Sequence, residues 1–399
     1  MFLELLIAIS IGVIFGIFTG LTPGVHANLV AALLTSSSTF FLKFSSPLVL
    51  ACFIISLAVT HTFLDFIPSI YLGAPETDNF LGVLPGHRYL LRGNGLMAVK
   101  LTIIGSFGAL LLSIIFFPLF VLIITNFYDV IEKYIPYILI LISSYVIITE
   151  RKRLWALAIF ILSGILGGIV FKLPNFENSL LPLLSGLFGV STLLISLKDK
   201  NSIPKQNIVE EIKLRKAIAI RALLAGQLSG FMTAVLPGIG ASTAALIGSQ
   251  IAKLKDHGFM ILLGSVNTVN FMLSIATLYA IEKARNGAII AIKTFMDELT
   301  VNETILFLSS ALIAGCISVF LALFIGRKFS SIITKVSYKI LVITIIFFIF
   351  ILTLILTKFI GIVILITATS IGLIPPLKKV RRINLMGCLL LPVIVYLLF

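Results

Sequence analysis

The residues best placed to do chemistry in this 399-residue chain are two prolyl-glycyl steps inside apolar stretches, Pro23-Gly24 and Pro237-Gly238, with small polar residues around them. A proline in a helix interior removes a hydrogen bond and clashes with the preceding turn, and a glycine beside it lets the chain change direction. Each step is expected to end one helix and start another. The new helix then presents N–H groups without intrahelical partners and a positive dipole end. Thr22, His26 and Asn28 surround the first step; Gly240, Ser242 and Thr243 follow the second. Two such ends meeting would form a backbone-built anion site. Ordinary proline kinks in packed helices are the alternative; a repeated motif with polar residues behind it favours the site.

A second polar group lies one apolar stretch further on. Thr60, His61, Thr62 and Asp65 interrupt the first half, and Asn267, Thr268 and Asn270 the second. His61 and Asp65 stand at i and i+4, on one helical face. A carboxylate at membrane depth is costly and marks a functional site by default. Asp65 could bind Na+ or carry a proton, with His61 beside it; the alternative is a hydrogen-bonded pair that locks packing. The segment from Tyr71 to Asn79, followed by Pro85-Gly86-His87-Arg88, is too polar for a span and reads as the lining of a cavity or vestibule. Arg88, Arg92 and Lys100 could attract an anion there, or simply mark a cytoplasmic face. Arg221 reads as a side chain snorkelling to the interface.

The elements that must hold these residues are membrane helices. Hydrophobic residues make up 59% of the chain and charged residues 12%, about half the charge density of a soluble domain. Mean hydropathy is +1.18. Apolar runs recur at the roughly 20-residue length that crosses a bilayer core. A run such as Leu341 to Thr357 is almost continuously apolar, whereas a barrel strand would alternate. The net charge of +14 sits mostly in short loops, the positive-inside pattern, and does not call for nucleic acid. Cys52, Cys316 and Cys388 all lie in apolar runs, with no disulfide or metal spacing. The start of the chain lacks a basic n-region and a small-residue cleavage site, so the first helix is expected to be retained. No Walker loop, dinucleotide fingerprint, zinc spacing or nucleophile elbow is present, so enzyme chemistry is not expected.

The expected fold is all-α and polytopic, with about ten crossings and two broken or re-entrant hairpins. The hairpins span about 3–35 and 217–253. Crossings are expected near 48–73, 100–125, 136–149, 154–172, 180–197, 258–281, 303–326, 338–356, 359–375 and 384–399. Basic runs at 151–153, 198–216 and 378–382 read as cytoplasmic; 126–133, 174–178 and the acidic 296–303 read as outside. Lys283 and Arg285 then fall outside, as exceptions. The segment from Gly16 to Asn28 aligns without gaps with that from Gly230 to Ser242, and Arg92–Lys100 resembles Arg285–Lys293. Five crossings separate the hairpins, so the halves face opposite ways, an inverted-topology repeat. The division is residues 1–197, a basic linker 198–216, and 217–399.

At these residues the chain resembles a known family. The stretch Leu236-Pro237-Gly238-Ile239-Gly240-Ala241-Ser242-Thr243, the Thr22-Pro23-Gly24 step and the segment from Asp65 through Arg88 are similar to the TctA permeases, the large membrane subunits of tripartite tricarboxylate transporters. The short archaeal-type branch is the nearest in form. The likeness covers nearly the whole chain. It implies a secondary permease for an organic anion in the cytoplasmic membrane, coupled to Na+ or H+ and otherwise cofactor-free. A small membrane subunit and an external binding protein would be its partners, with a homodimer a further arrangement. Carried over, Pro23, Gly24, Pro237, Gly238, Gly240, Ser242 and Thr243 would hold substrate. The first motif departs from the usual Leu-Pro-Gly-Leu-Gly form. A lipid-phosphate flippase using the same paired hairpins is the competing expectation.

Overall fold

The computed structural model describes residues 2–398 except 23–25, 37, 73–82, 175–178, 198–203, 209–211, 213, 237–239, 285, 297 and 336. Helices follow one another throughout, with no strand among the described residues. The first half comprises α1 (Phe2–Leu21), α2 (Ala27–Ser36), α3 (Pro47–Leu64), α4 (Phe66–Tyr71), α5 (Val83–Leu91), α6 (Gly95–Ile115), α7 (Phe117–Ile148), α8 (Arg153–Phe171) and α9 (Leu180–Ile195). The second comprises α10 (Lys216–Val235), α11 (Ala241–Ile251), α12 (Asp256–Ile281), α13 (Gly287–Phe295), α14 (Val301–Ile333), α15 (Tyr338–Lys378) and α16 (Arg382–Leu398).

Among the described residues, 9 helices are long and apolar enough to cross a membrane, and α9 and α16 are shorter apolar helices. α15 is interrupted at Lys358, whose φ of 55° and ψ of −158° are non-helical. With α15 counted as two, the shorter α9 and α16 included and the hairpin arms α1 and α10 set apart, ten apolar segments correspond to the ten expected crossings.

One boundary differs from expectation. Residues 126–133, read as an outside loop between crossings, lie inside the continuous helix α7, and the break falls at Phe116. Pro118 explains it. A proline in the first turn starts a helix readily because its missing N–H would be unbonded there anyway. The polar stretch then continues helically, Tyr128 turned inward and Asp129, Glu132 and Lys133 outward or at the margin. At 1.5 Å per residue, the 32-residue α7 is about 48 Å long, well beyond a core about 30 Å thick.

The packing of small residues defines the hairpins. Gly12 lies against Ser56 and Leu57, Gly16 against Leu57 and Thr60, and Gly20 against His61 and Leu64. The numbers rise together, so α1 and α3 run parallel and α2 brings the chain back between them. In the second half Gly226 lies against Ser265 and Gly230 against Val269, which makes α10 and α12 parallel as well. Gly248 on α11 returns to Ser229 and Ala225 of α10. The bounds match at a constant offset of 214: Phe2 to Lys216, Leu21 to Val235 and Ala27 to Ala241. The arms also end alike. Thr22 N–H donates to the Phe18 carbonyl at 3.1 Å and Leu236 N–H to Met232 at 2.8 Å. Thr19 and Thr233 each turn a hydroxyl back to a glycine carbonyl, Gly16 and Gly230, at 3.3 and 2.7 Å.

The other sequence match does not hold in register. Arg92–Lys100 runs from the loop after α5 into the long helix α6, whereas Lys293 lies on the short helix α13, one element earlier in the order. The hairpin alignment alone carries the repeat.

The two halves run in opposite senses. Tyr71, at the end of α4, lies against Gly95. The start of α12 reaches the same corner, where Asp256 is 3.7 Å from Arg92 and the His257 ring 2.9 Å from the Tyr89 hydroxyl. That end of the bundle is also where Lys152 donates to the Lys378 carbonyl at 3.0 Å and Arg381 pairs with Glu150. The basic runs thus gather at one end. At the other end Lys283 lies 2.8 Å from Glu132 and over the Tyr128 ring. It stays an outside cation, as its position in the loop count requires, with the Glu132 carboxylate as its partner.

The arms of the two hairpins are not placed alike. α11 packs on α10 and α12 of its own half, whereas α2 packs mainly across on α13.

Candidate functional site

The polar cluster is built where α3 gives way to α4. Asp65 caps α3, with its N–H on the His61 carbonyl at 3.0 Å, and opens α4. The carboxylate is 1% exposed. Burial of this kind demands hydrogen-bonding partners, and one comes from the other half: Asn267 Nδ2 donates to Asp65 Oδ2 at 2.8 Å. One helical turn back, the hydroxyls of Thr62 and Thr268 lie 3.4 Å apart. Thr62 of α3 and its cap Asp65 therefore meet two residues of α12 at the crossing of the halves. Ser318 of α14 donates to Thr60 at 3.0 Å.

His61 does not bond to Asp65 through either ring nitrogen. Its Nδ1 is 3.2 Å from the Thr19 hydroxyl, and its Nε2 has no hydrogen-bond partner among the described residues. The i, i+4 expectation placed both on one face of a straight helix. The turn at Asp65 instead aims the carboxylate at α12. The His26 ring lies 4.6 Å from that of His61, tilted by 59°. His26 Nδ1 also accepts the Asn28 N–H at 3.2 Å, capping the amino end of α2. The first bend is thereby tied to the Asp65 cluster through His26, His61 and Thr19.

Other expected site residues lie as follows. Thr22 is half-buried at the end of α1. Asn28 turns to the opposite half, where its Oδ1 accepts the Ala288 N–H at 3.0 Å and caps α13. Asn270 lies on α12 against Gly230, with its carbonyl accepting from Ser274 at 2.7 Å. Gly240 caps α11 in an extended conformation, and Met386 lies nearby. Ser242 and Thr243 fall in the first turn of α11, with their side chains outside the described set. Pro23, Gly24, Pro237 and Gly238 lie outside the described residues. So do residues 73–79 of the polar segment.

Sequence reading missed Thr19, Ser318 and the serines of the α6–α12 crossing. Ser106 donates to the Gly264 carbonyl and Ser265 to the Gly105 carbonyl, each at 3.2 Å. Thr19 carried a usable signal, since it is matched by Thr233 in the repeat. Ser318 carried none, because single serines are common in apolar helices. Among the described residues no cluster of His, Cys, Asp and Glu could hold a metal in the usual way.

The family model described as the tripartite tricarboxylate transporter TctA family matches residues 6–387. An uncharacterized protein of Methanocaldococcus jannaschii is 30% identical over 404 residues, covering 98% of this chain and 99% of its own. No solved structure matches the chain.

Proposed function

The chain belongs to the tripartite tricarboxylate transporter TctA family, and from that premise we propose that it is a secondary permease carrying a small organic anion, a di- or tricarboxylate, across the cytoplasmic membrane, coupled to Na+ or H+. The observation that carries this reading is the buried Asp65, bonded across the halves to Asn267 and adjoining the first bend through His61 and His26. A carboxylate at the crossing of two oppositely directed halves suits a coupling cation. The amino ends of α2 and α11, which follow the bends, suit a carboxylate cargo. Residues 1–197 and 217–399 are the two transport halves, and the basic end of the bundle is cytoplasmic. A small membrane subunit and an external binding protein fit the family's three-part plan.

A lipid-phosphate flippase is the second reading. An apolar cavity of about 710 Å³ between α1, α2 and α3 would suit acyl chains. The small-anion reading is preferred because it also accounts for the buried Asp65.

The test is uptake into proteoliposomes with a panel of radiolabelled di- and tricarboxylates under imposed Na+ or H+ gradients. Gradient-dependent uptake of at least one is expected. No flux under either gradient, with the external binding protein supplied, would remove the reading; movement of a labelled lipid phosphate in the same vesicles would establish the second.

A further inference from the structure

A cavity of about 590 Å³ opens at the basic end, between the amino ends of α10 and α12 and the carboxyl end of α11. Arg215, Arg221, Lys253, Lys255 and His257 line it, and no carboxylate does among the described residues. Asp256, in the first turn of α12, faces Arg92 at 3.7 Å. Lys253 has a φ of 50° and turns the chain from α11 toward α12, so the loop contributes two lysines to one wall. Snorkelling explains one cation at an interface. It does not explain cations from a helix and from the facing loop converging on one cavity.

The lipid-facing side of α10 adjoins the cavity. Ile220, Leu224 and Leu228 of α10 are 56%, 53% and 53% exposed. At a spacing of four they form one stripe, which starts beside Arg221 and runs from the cavity toward the middle of the bundle. Cations at the interface, continued by an apolar stripe at bilayer depth, match a phosphate headgroup with acyl chains below it.

We propose that this cavity binds the phosphate headgroup of an anionic phospholipid, which clamps the base of the second hairpin. The site is separate from the Asp65 cluster and does not depend on the transported anion. Juxtamembrane Lys and Arg attract anionic lipid strongly enough that losing one weakens binding about fivefold.

The test is native mass spectrometry of the full chain released from neutral detergent with phosphatidylglycerol or phosphatidylcholine. Phosphatidylglycerol should be retained preferentially. The triple variant Arg221→Gln, Lys253→Gln, Lys255→Gln should lose retention by about fivefold for each charge removed. Lys335→Gln, exposed at the same end, should not change it. Should the triple variant fail to purify, Arg221→Gln and Lys255→Gln alone, both exposed, should each show the single-charge loss. Equal retention of the two lipids, or wild-type retention in the variants, would overturn the proposal. Displacement of phosphatidylglycerol by equimolar glycerol 3-phosphate would also overturn it, because the cavity would then be a soluble-anion site.

Discussion

At the scale of residues, the Asp65–Asn267 bond carries the most weight. Asp65→Asn keeps an acceptor for Asn267 and removes the charge. The variant should fold normally, lose gradient dependence and slow uptake, because an intramembrane carboxylate marks the ion or proton path. Unchanged gradient dependence in vesicles would deny Asp65 a coupling role. Asn267→Ala leaves the buried carboxylate oxygen without that donor and should cost about 1–3 kcal/mol, read as a lower midpoint in thermal unfolding. Asp65 was legible in the sequence as a charge in an apolar run. Its partner was not, because a contact across the two halves leaves no local pattern. The bond between His61 and Asp65 suggested by their spacing is absent because Asp65 sits at a turn, where helical spacing stops predicting direction.

Lys283 gives a prediction on pH. The Glu132 carboxylate beside it holds the ammonium above its usual range. A cation raised on folding lends stability below its unfolded value and loses it as pH climbs through the higher folded value. Both side chains are nearly half exposed, so the pair is worth at most about 1 kcal/mol. Lys283→Met should lower the unfolding midpoint slightly at neutral pH, and the gap from the natural chain should close above about pH 10.5. A gap that persisted there would assign the effect to packing on Tyr128.

At the scale of elements, the hairpins were readable because a proline-glycine step recurring with its flanking residues is a strong local signal. Their parallel packing followed from where glycines fall. A side chain at Gly230 would press on Val269, and overpacking of this kind costs about 1–3 kcal/mol or more. Gly230→Val should reduce the yield of monodisperse protein sharply; a normal yield would mean that α10 and α12 are not held this closely. The α6–α7 boundary was misjudged because polarity was taken for a loop where Pro118 had already set the break. The contact of α2 with α13 is testable by cross-linking. A Cβ at Gly287 would lie 2.8 Å from that of Asn28, within reach of a disulfide after slight adjustment. In a background with Cys52, Cys316 and Cys388 replaced by serine, Asn28→Cys with Gly287→Cys should cross-link on oxidation and lose the uptake that the unoxidised double variant retains, with reduction returning it to that level. Full uptake by the oxidised pair would show that α2 need not leave α13.

For the whole molecule, the gathering of basic residues at one end sets an orientation. Lys253→Cys should react with a membrane-impermeant maleimide only from the cytoplasmic side, and Lys293→Cys only from outside. The reverse pattern would invert the assignment of faces. Composition made the membrane and the helices plain. It could not show which crossing touches which, since lipid-facing and protein-facing surfaces are equally greasy.

One arm reaches across to the other half while its counterpart stays at home. In a body whose halves share one numbering offset through their hairpins, that imbalance is a recipe for a second shape: exchange the roles of the halves, and α11 swings toward α5 as α2 comes away from α13. Paired spin labels would then report two distances moving in opposite directions, one shortening as the other grows, each time the cargo is supplied from the other side.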